Sequence, residues 1–243
     1  MKPIRSNSLR ALCVTLAAAL VTLSLSTVGV GVAWAGALDA LTNKDTSSGL
    51  RAALSQGIDV AVAQLGAPDG FLKNPKVTIP LPPALKKADK ALRLMGRGDD
   101  ADALRVAMNH AAESAVSEAK PVLKSALQSM SVADAKGILT GGEDSATQYF
   151  RRTTTADLTT RFKPIVAKAT SKVQLGALYD QYAGKAASMG LLKPEDANLN
   201  DYVAAKALDG LFSRMADEEK AIRKDPLGQT SSLIRKVFSA ATH

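Results

Sequence analysis

The chain has 243 residues, 46% of them hydrophobic, 22% charged and only 4% aromatic, with a formal net charge of +8. That balance excludes a disordered polymer and a polytopic membrane bundle. One cysteine, Cys13, and two histidines, His110 and His243, leave no material for a disulfide framework, a cysteine metal site or a multi-histidine zinc site.

Residues 1–35 read as a signal peptide. Lys2, Arg5 and Arg10 make a basic start, an apolar run extends from Ala11 to Val32, and Ala33 and Ala35 fit a small-residue cleavage site, so the cut is expected after Ala35. The alternative is an uncleaved anchor helix, although Ser, Thr and Gly dilute the run. "LRAL" before Cys13 is a poor lipobox. Cleavage removes three basic residues and no acid, taking the charge from +8 to +5 and leaving 208 residues without a thiol. Such a charge suits anionic headgroups or acidic polymers better than nucleic acid, and in most proteins it only aids solubility.

Residues 36–48 are expected to form a flexible lead, and 49–243 a single all-α domain. Its architecture is expected to be an orthogonal bundle of about eight helices, since apolar residues recur at helical spacing almost throughout. After a first long helix comes "GAPDGFLKNPKVTIPLPP", 66–83, too rich in Gly and Pro for helix. "KVTIPL" is the best strand candidate, limited by Pro80 to a short edge. Loops of this length are often functional. The structural alternative is a lid, with Phe71, Leu72, Val77, Ile79 and Leu81 packed across the bundle.

The next helix, 84–97, is basic and amphipathic, with Leu85, Ala88, Leu92 and Met95 as its stripe and Lys86, Lys87, Lys90, Arg93 and Arg97 elsewhere. It fits a solvated bundle face or, through a narrow apolar side without an aromatic anchor, an anionic membrane surface. Asp99 or Asp100 is expected to cap the following helix. Between 101 and 122 the buried stripe is Leu104, Met108, Ala111, Ala115, Ala119 and Val122, with Asp102, Arg105, Asn109, Glu113 and Lys120 assigned to solvent. Ser131 and Asp134 make a capping box. Pro121 and Pro164 each start a helix or kink one.

"GILTGGEDSATQYFRRTT", 137–154, is the least ordinary passage. Gly141 and Gly142 suit a helix C-terminus, Glu143 and Asp144 the positive start of a new helix, and Arg151 and Arg152 its negative end. That leaves a polar stripe of Asp144, Gln148 and Arg151, with Tyr149 beside it on the buried side. The stripe could bind a small polar or anionic ligand through the Arg151 fork, or tie the helix to its neighbours. Leu158, Phe162, Ile165, Ala169 and Val173 form the next stripe, and Leu199, Val203, Ala207, Leu211, Met215 and Ile222 the one on the long helix at 199–224. Arg214–Glu218 and Glu219–Arg223 read as exposed i,i+4 pairs. Asp225-Pro226 breaks that helix before a short final one.

Chemical templates are missing. No nucleophile elbow, P-loop or H-E-x-x-H occurs, and "GRGDDA" at 96–101 lacks the strand that a dinucleotide motif requires. No cofactor or metal is expected.

The words "GLRAALSQGIDVAVAQLGAPDGFLKNPKVTIPLP" at 49–82, "MNHAAE" at 108–113, the 137–154 passage, "RFKPIV" at 161–166 and "DYVAAKALDGLFSRMADEEKAIRKDP" at 201–226 go together. In this combination the chain resembles the bacterial exported-protein family called domain of unknown function 4197. The resemblance implies export to the periplasm or cell envelope of a bacterium and an all-helical fold. It brings no activity, ligand or catalytic residue, and family members often carry arginine where this chain has His110.

Three functions are therefore weighed. The first is a non-enzymatic binding or structural module of the envelope, with Asp144, Gln148, Tyr149 and Arg151, joined by Lys73 and Asn74, contacting a small ligand or an envelope protein. The second is an enzyme using Asp209, Glu218 or Glu219 as acid/base groups. The third is a membrane-surface protein using the basic helix.

Overall fold

The computed structural model describes residues 43–190, 192 and 197–225. The expected signal peptide, its cleavage site and the final helix after Pro226 lie outside them. In chain order the helices are α1 (Asn43–Leu65), α2 (Pro83–Leu94), α3 (Gly98–Ser117), α4 (Ala119–Ser129), α5 (Val132–Thr140), α6 (Ser145–Thr170), α7 (Gln174–Ser188) and α8 (Leu199–Lys224). The fold is all-helical, with no strand among the described residues, so "KVTIPL" is loop. The first helix begins inside the stretch assigned to a flexible lead. No described helix is long and apolar enough to cross a membrane.

One hydrophobic cluster draws residues from every helix. α6 and α8 form its central pair and run antiparallel, since Ala146 meets Glu219 while Lys163 meets Asp201. α3 packs on both, and α1 on α8 and α4. The stripe expected on α8 is buried throughout, from Leu199 and Val203 to Met215 and Ile222. On α2, Leu85 is buried but Met95, beyond the helix end, is 71% exposed, and the side chains of Ala88 and Leu92 lie outside those described.

The segment 66–82 is a lid. Phe71 and Ile79 are fully enclosed, and Val77 and Leu81 pack against the core. Burying the two enclosed side chains contributes about 4 kcal/mol as an upper estimate. The lid also corrects the reading of α3. Asn109 and Glu113, assigned to solvent, are 0% and 5% exposed because the lid covers them. Glu113 Oε1 accepts from the backbone N–H groups of Phe71 and Leu72 at 3.0 and 3.1 Å. The Asn109 amide pairs with Ile79 in both directions, accepting from its N–H at 2.8 Å and donating to its carbonyl at 2.9 Å. A loop without a ladder thus has its buried backbone groups satisfied by two side chains one helical turn apart.

Helix ends differ from the reading in several places. Asp99 and Asp100 lie in the first turn of α3 instead of capping it, and the residue at the cap, Arg97, makes no side-chain cap. There the two acids still complement the helix dipole. Pro121 falls in the first turn of α4, where its missing N–H costs nothing. Pro164 starts no helix, because α6 continues to Thr170. Arg151 and Arg152 therefore lie within α6 and not at a C-terminus. Helix continues through "RRTTT", with the threonine hydroxyls satisfied on the carbonyls four residues earlier: Thr153 on Tyr149 at 2.9 Å, Thr154 on Phe150 at 2.7 Å and Thr155 on Arg151 at 2.6 Å. The buried line on α6 then runs Thr154, Leu158, Phe162, Val166, Thr170, leaving Ile165, Ala169 and Val173 partly buried.

The capping box at Ser131 and Asp134 is present, each side chain bonding the other's backbone N–H at 3.0 Å. Gly141 ends α5 with φ −86°, so it is not needed for a left-handed turn. Space is the reason for a glycine there: a Cβ would run into the Ser145 hydroxyl and come within 2.7 Å of the Gly137 carbonyl.

Candidate functional site

The start of α6 is where the opening half of the predicted site falls. Asp144 occupies the N-cap position without a cap bond to the backbone; its carboxylate instead accepts from the Gln148 amide at 2.9 Å, and both side chains are exposed. The capping is done from another helix. Glu219 of α8, 5% exposed, accepts from the N–H groups of Ala146 and Thr147 and from the Thr147 hydroxyl at 2.9, 2.9 and 3.0 Å. Arg223 completes the carboxylate's shell at 2.9 Å. Glu219 is therefore a buried strut, and not half of an exposed ion pair.

Tyr149 is also interior. Its hydroxyl donates to the Ala126 carbonyl at 3.0 Å, joining α6 to α4, and burial pushes its pKa up. Lys73 reaches back to Asp69 at 2.8 Å, and Asn74 accepts from the Lys76 N–H at 3.1 Å inside the lid. Neither lies with Arg151.

Arg151 does open onto a cavity. At steps of four along α6, Arg151, Thr155, Thr159 and Lys163 form one wall of a groove of about 230 Å³, opposed on α8 by Asp201, Asp209 and Phe212. The Arg151 guanidinium lies 4.8 Å from the centre of the Phe212 ring and 3.2 Å from Asp209. Stacking and pairing together fix a fork donor at the groove's edge. Lys163 meets Asp201 at 2.7 Å at the other end. Asp209 is shared with a second cleft of about 350 Å³, between α8 and the lid, where Lys76, Thr78, Lys206 and Ser213 supply polar groups. The two clefts meet at Asp209, and between them four basic side chains (Arg151, Lys163, Lys76, Lys206) face two acids (Asp201, Asp209), with Lys76 also paired to Asp217 at 3.1 Å.

The three carboxylates considered as acid/base groups do not converge. Asp209 lines the groove, Glu218 is held by Arg214, and Glu219 caps α6 inside the core. His110 is half-exposed on α3, 3.9 Å from Asp69.

A family model described as "Protein of unknown function (DUF4197)" matches residues 40–239. The chain belongs to that family. No curated protein and no solved structure shows significant similarity to it.

Sequence reasoning located Arg151 but missed Thr155, Thr159, Lys163 and Lys206. The four-residue spacing from Arg151 to Lys163 is visible in the sequence, as a polar face beside the Leu158–Phe162 stripe. Only the antiparallel α6–α8 pairing shows that this face borders a groove.

Proposed function

We propose that this member of the DUF4197 family is an exported protein of the bacterial envelope that acts without catalysis, binding a small anionic ligand in the paired clefts centred on Asp209. The observation that carries this reading is the position of Arg151, stacked on Phe212 and paired with Asp209 where the two clefts meet. An incoming carboxylate or phosphate would take the place of Asp209 on the guanidinium, with Lys206 and the threonine hydroxyls within the same surface. Residues 1–35 support export through their basic start, apolar run and A-x-A ending.

The test is titration of the mature chain with inorganic phosphate and with small dicarboxylates, followed by calorimetry and by amide shifts. The expected result is saturable binding, with shifts grouped around Arg151, Asp209 and Lys206 and binding lost in Arg151→Ala. Unchanged spectra at millimolar ligand, or shifts grouped elsewhere, would refute the site.

A further inference from the structure

Among the described residues, four of the five large apolar side chains standing in solvent lie on, or just beyond the end of, two helices that share a groove. Leu94 and Met95 at the end of α2 are 84% and 71% exposed; Tyr182 on α7 and Met189 just beyond it are 57% and 73% exposed. Between the helices lies an open groove of about 300 Å³, walled by Ala84 and Leu85 of α2 and by Leu175, Tyr179 and Tyr182 of α7. Among the described residues no charged side chain lines it.

α2 carries Lys86, Lys87, Lys90 and Arg93 against a single acid, Asp89. Asp89 is taken by Arg93 at 3.1 Å, and Arg93 also binds Asp102. The three exposed lysines therefore have no carboxylate partner among the described residues. Lys87, Lys90 and Leu94 recur at spacings of three and four, so ammonium groups and an apolar tip share one exposed face.

Read alone, α2 lacks an aromatic anchor. The fold supplies one from α7, because Tyr182 rims the groove that begins at Ala84 and Leu85. An apolar slot, an aromatic with a polar tip and unneutralised lysines on flexible stems complement the boundary between headgroups and acyl chains. Charge chooses the partner: an anionic headgroup layer answers three ammonium groups, and a neutral one does not.

We propose that the α2–α7 face docks on a bilayer containing anionic phospholipid. Lys86, Lys87 and Lys90 lie on the headgroups, Leu94, Met95 and Tyr182 enter the interfacial layer, and the groove takes up an acyl chain. This surface is separate from the clefts at Asp209, and of the proposed function it uses only export, which brings the chain to a lipid surface.

The experiment is flotation of the mature chain with vesicles of phosphatidylcholine alone or mixed with phosphatidylglycerol. Binding is expected only to the mixed vesicles, weakening as salt rises. The triple variant Lys86→Gln, Lys87→Gln, Lys90→Gln should lose about a hundred-fold in affinity, at roughly five-fold per lysine. Tyr182→Ser with Leu94→Ser should weaken binding that salt alone does not abolish. All five positions are exposed or open to the groove, and a thermal melt checks that each variant is folded. No vesicle binding, equal binding to neutral vesicles, or full binding by the folded triple variant would each overturn the proposal. Arg151→Ala should leave flotation unchanged, which separates failure here from failure of the anion site.

Discussion

Thr147 and Glu219, 72 residues apart, are joined twice through one atom: the backbone N–H and the hydroxyl of Thr147 both donate to Glu219 Oε2, at 2.9 and 3.0 Å. With Ala146 bonded to the other oxygen, α8 supplies the cap that α6 lacks locally. Glu219→Ala would strand two buried N–H groups and leave Arg223 without its carboxylate. Its expected cost is about 3 kcal/mol or more in urea denaturation. Glu219→Gln keeps one acceptor oxygen and should cost less. A loss below about 1 kcal/mol for the alanine variant would show that water replaces the strut.

Gly210 sits beneath the lid, where an added Cβ would come within 2.7 Å of Phe71 Cε1. Alanine is worth about 1 kcal/mol over glycine inside a helix, so propensity alone predicts stabilisation. Overpacking costs about 1–3 kcal/mol, and Phe71 is fully enclosed, so the clash should win. Gly210→Ala is expected to lower the melting temperature and make 66–82 easier to cleave by protease. Adding Phe71→Leu should restore part of the loss, which a purely helical effect would not.

Arg151 and Asp209 form a half-exposed pair, with side chains 43% and 58% accessible. Such pairs contribute less than about 1 kcal/mol, so neither Arg151→Ala nor Asp209→Ala should shift the melt greatly. Their effects on ligand should be opposite. Removing Arg151 should abolish phosphate binding, whereas removing Asp209 takes away the competing carboxylate and should tighten it. Calorimetry on the two variants checks this directly.

Asp59 gives a pH-dependent prediction. Partial burial acts to raise its pKa, but Lys120 and Lys124, each 2.8 Å away, outweigh burial and hold it below the usual carboxylate value. A carboxyl whose folded pKa is depressed stabilises the fold above its unfolded pKa, about 3.9, and that contribution fades as pH falls through the folded value. The stability gap between the wild type and Asp59→Asn should therefore be full at neutral pH and close as the solution is acidified below about pH 4. A gap that stays constant across that range would mean that the lysines do not act through the charge. Urea midpoints at several pH values measure it.

Features written within one or two helical turns were legible in the sequence. The α8 stripe, the Ser131–Asp134 box and the helix restart at Pro121 depend on neighbours three or four residues away, and all are present. The lid's buried apolar side chains were legible too, because Phe71 and Ile79 have no other place to go. What could not be read were polar residues whose partners arrive from far along the chain. Asn109 and Glu113 look solvent-facing on a helical wheel; they are buried because a segment 30 to 42 residues away lies over them. Glu219 looks like an ordinary i,i+4 partner of Arg223, and its role is set by a helix start 72 residues away. At the candidate site, the Arg151 stripe was visible, but its opposing wall on α8 came only with the pairing.

The position of α8 in the chain has a consequence for biogenesis. It is the last helix described, yet α1, α3 and α6 all pack on it, and Tyr202 and Gly210 meet the lid. A polypeptide emerging from its N-terminus therefore makes most of its helices before the surface that will organise them has been synthesised. Until α8 arrives, Phe71 and Phe150 have no finished interior to enter, and the nascent chain presents sticky segments for chaperones to shield.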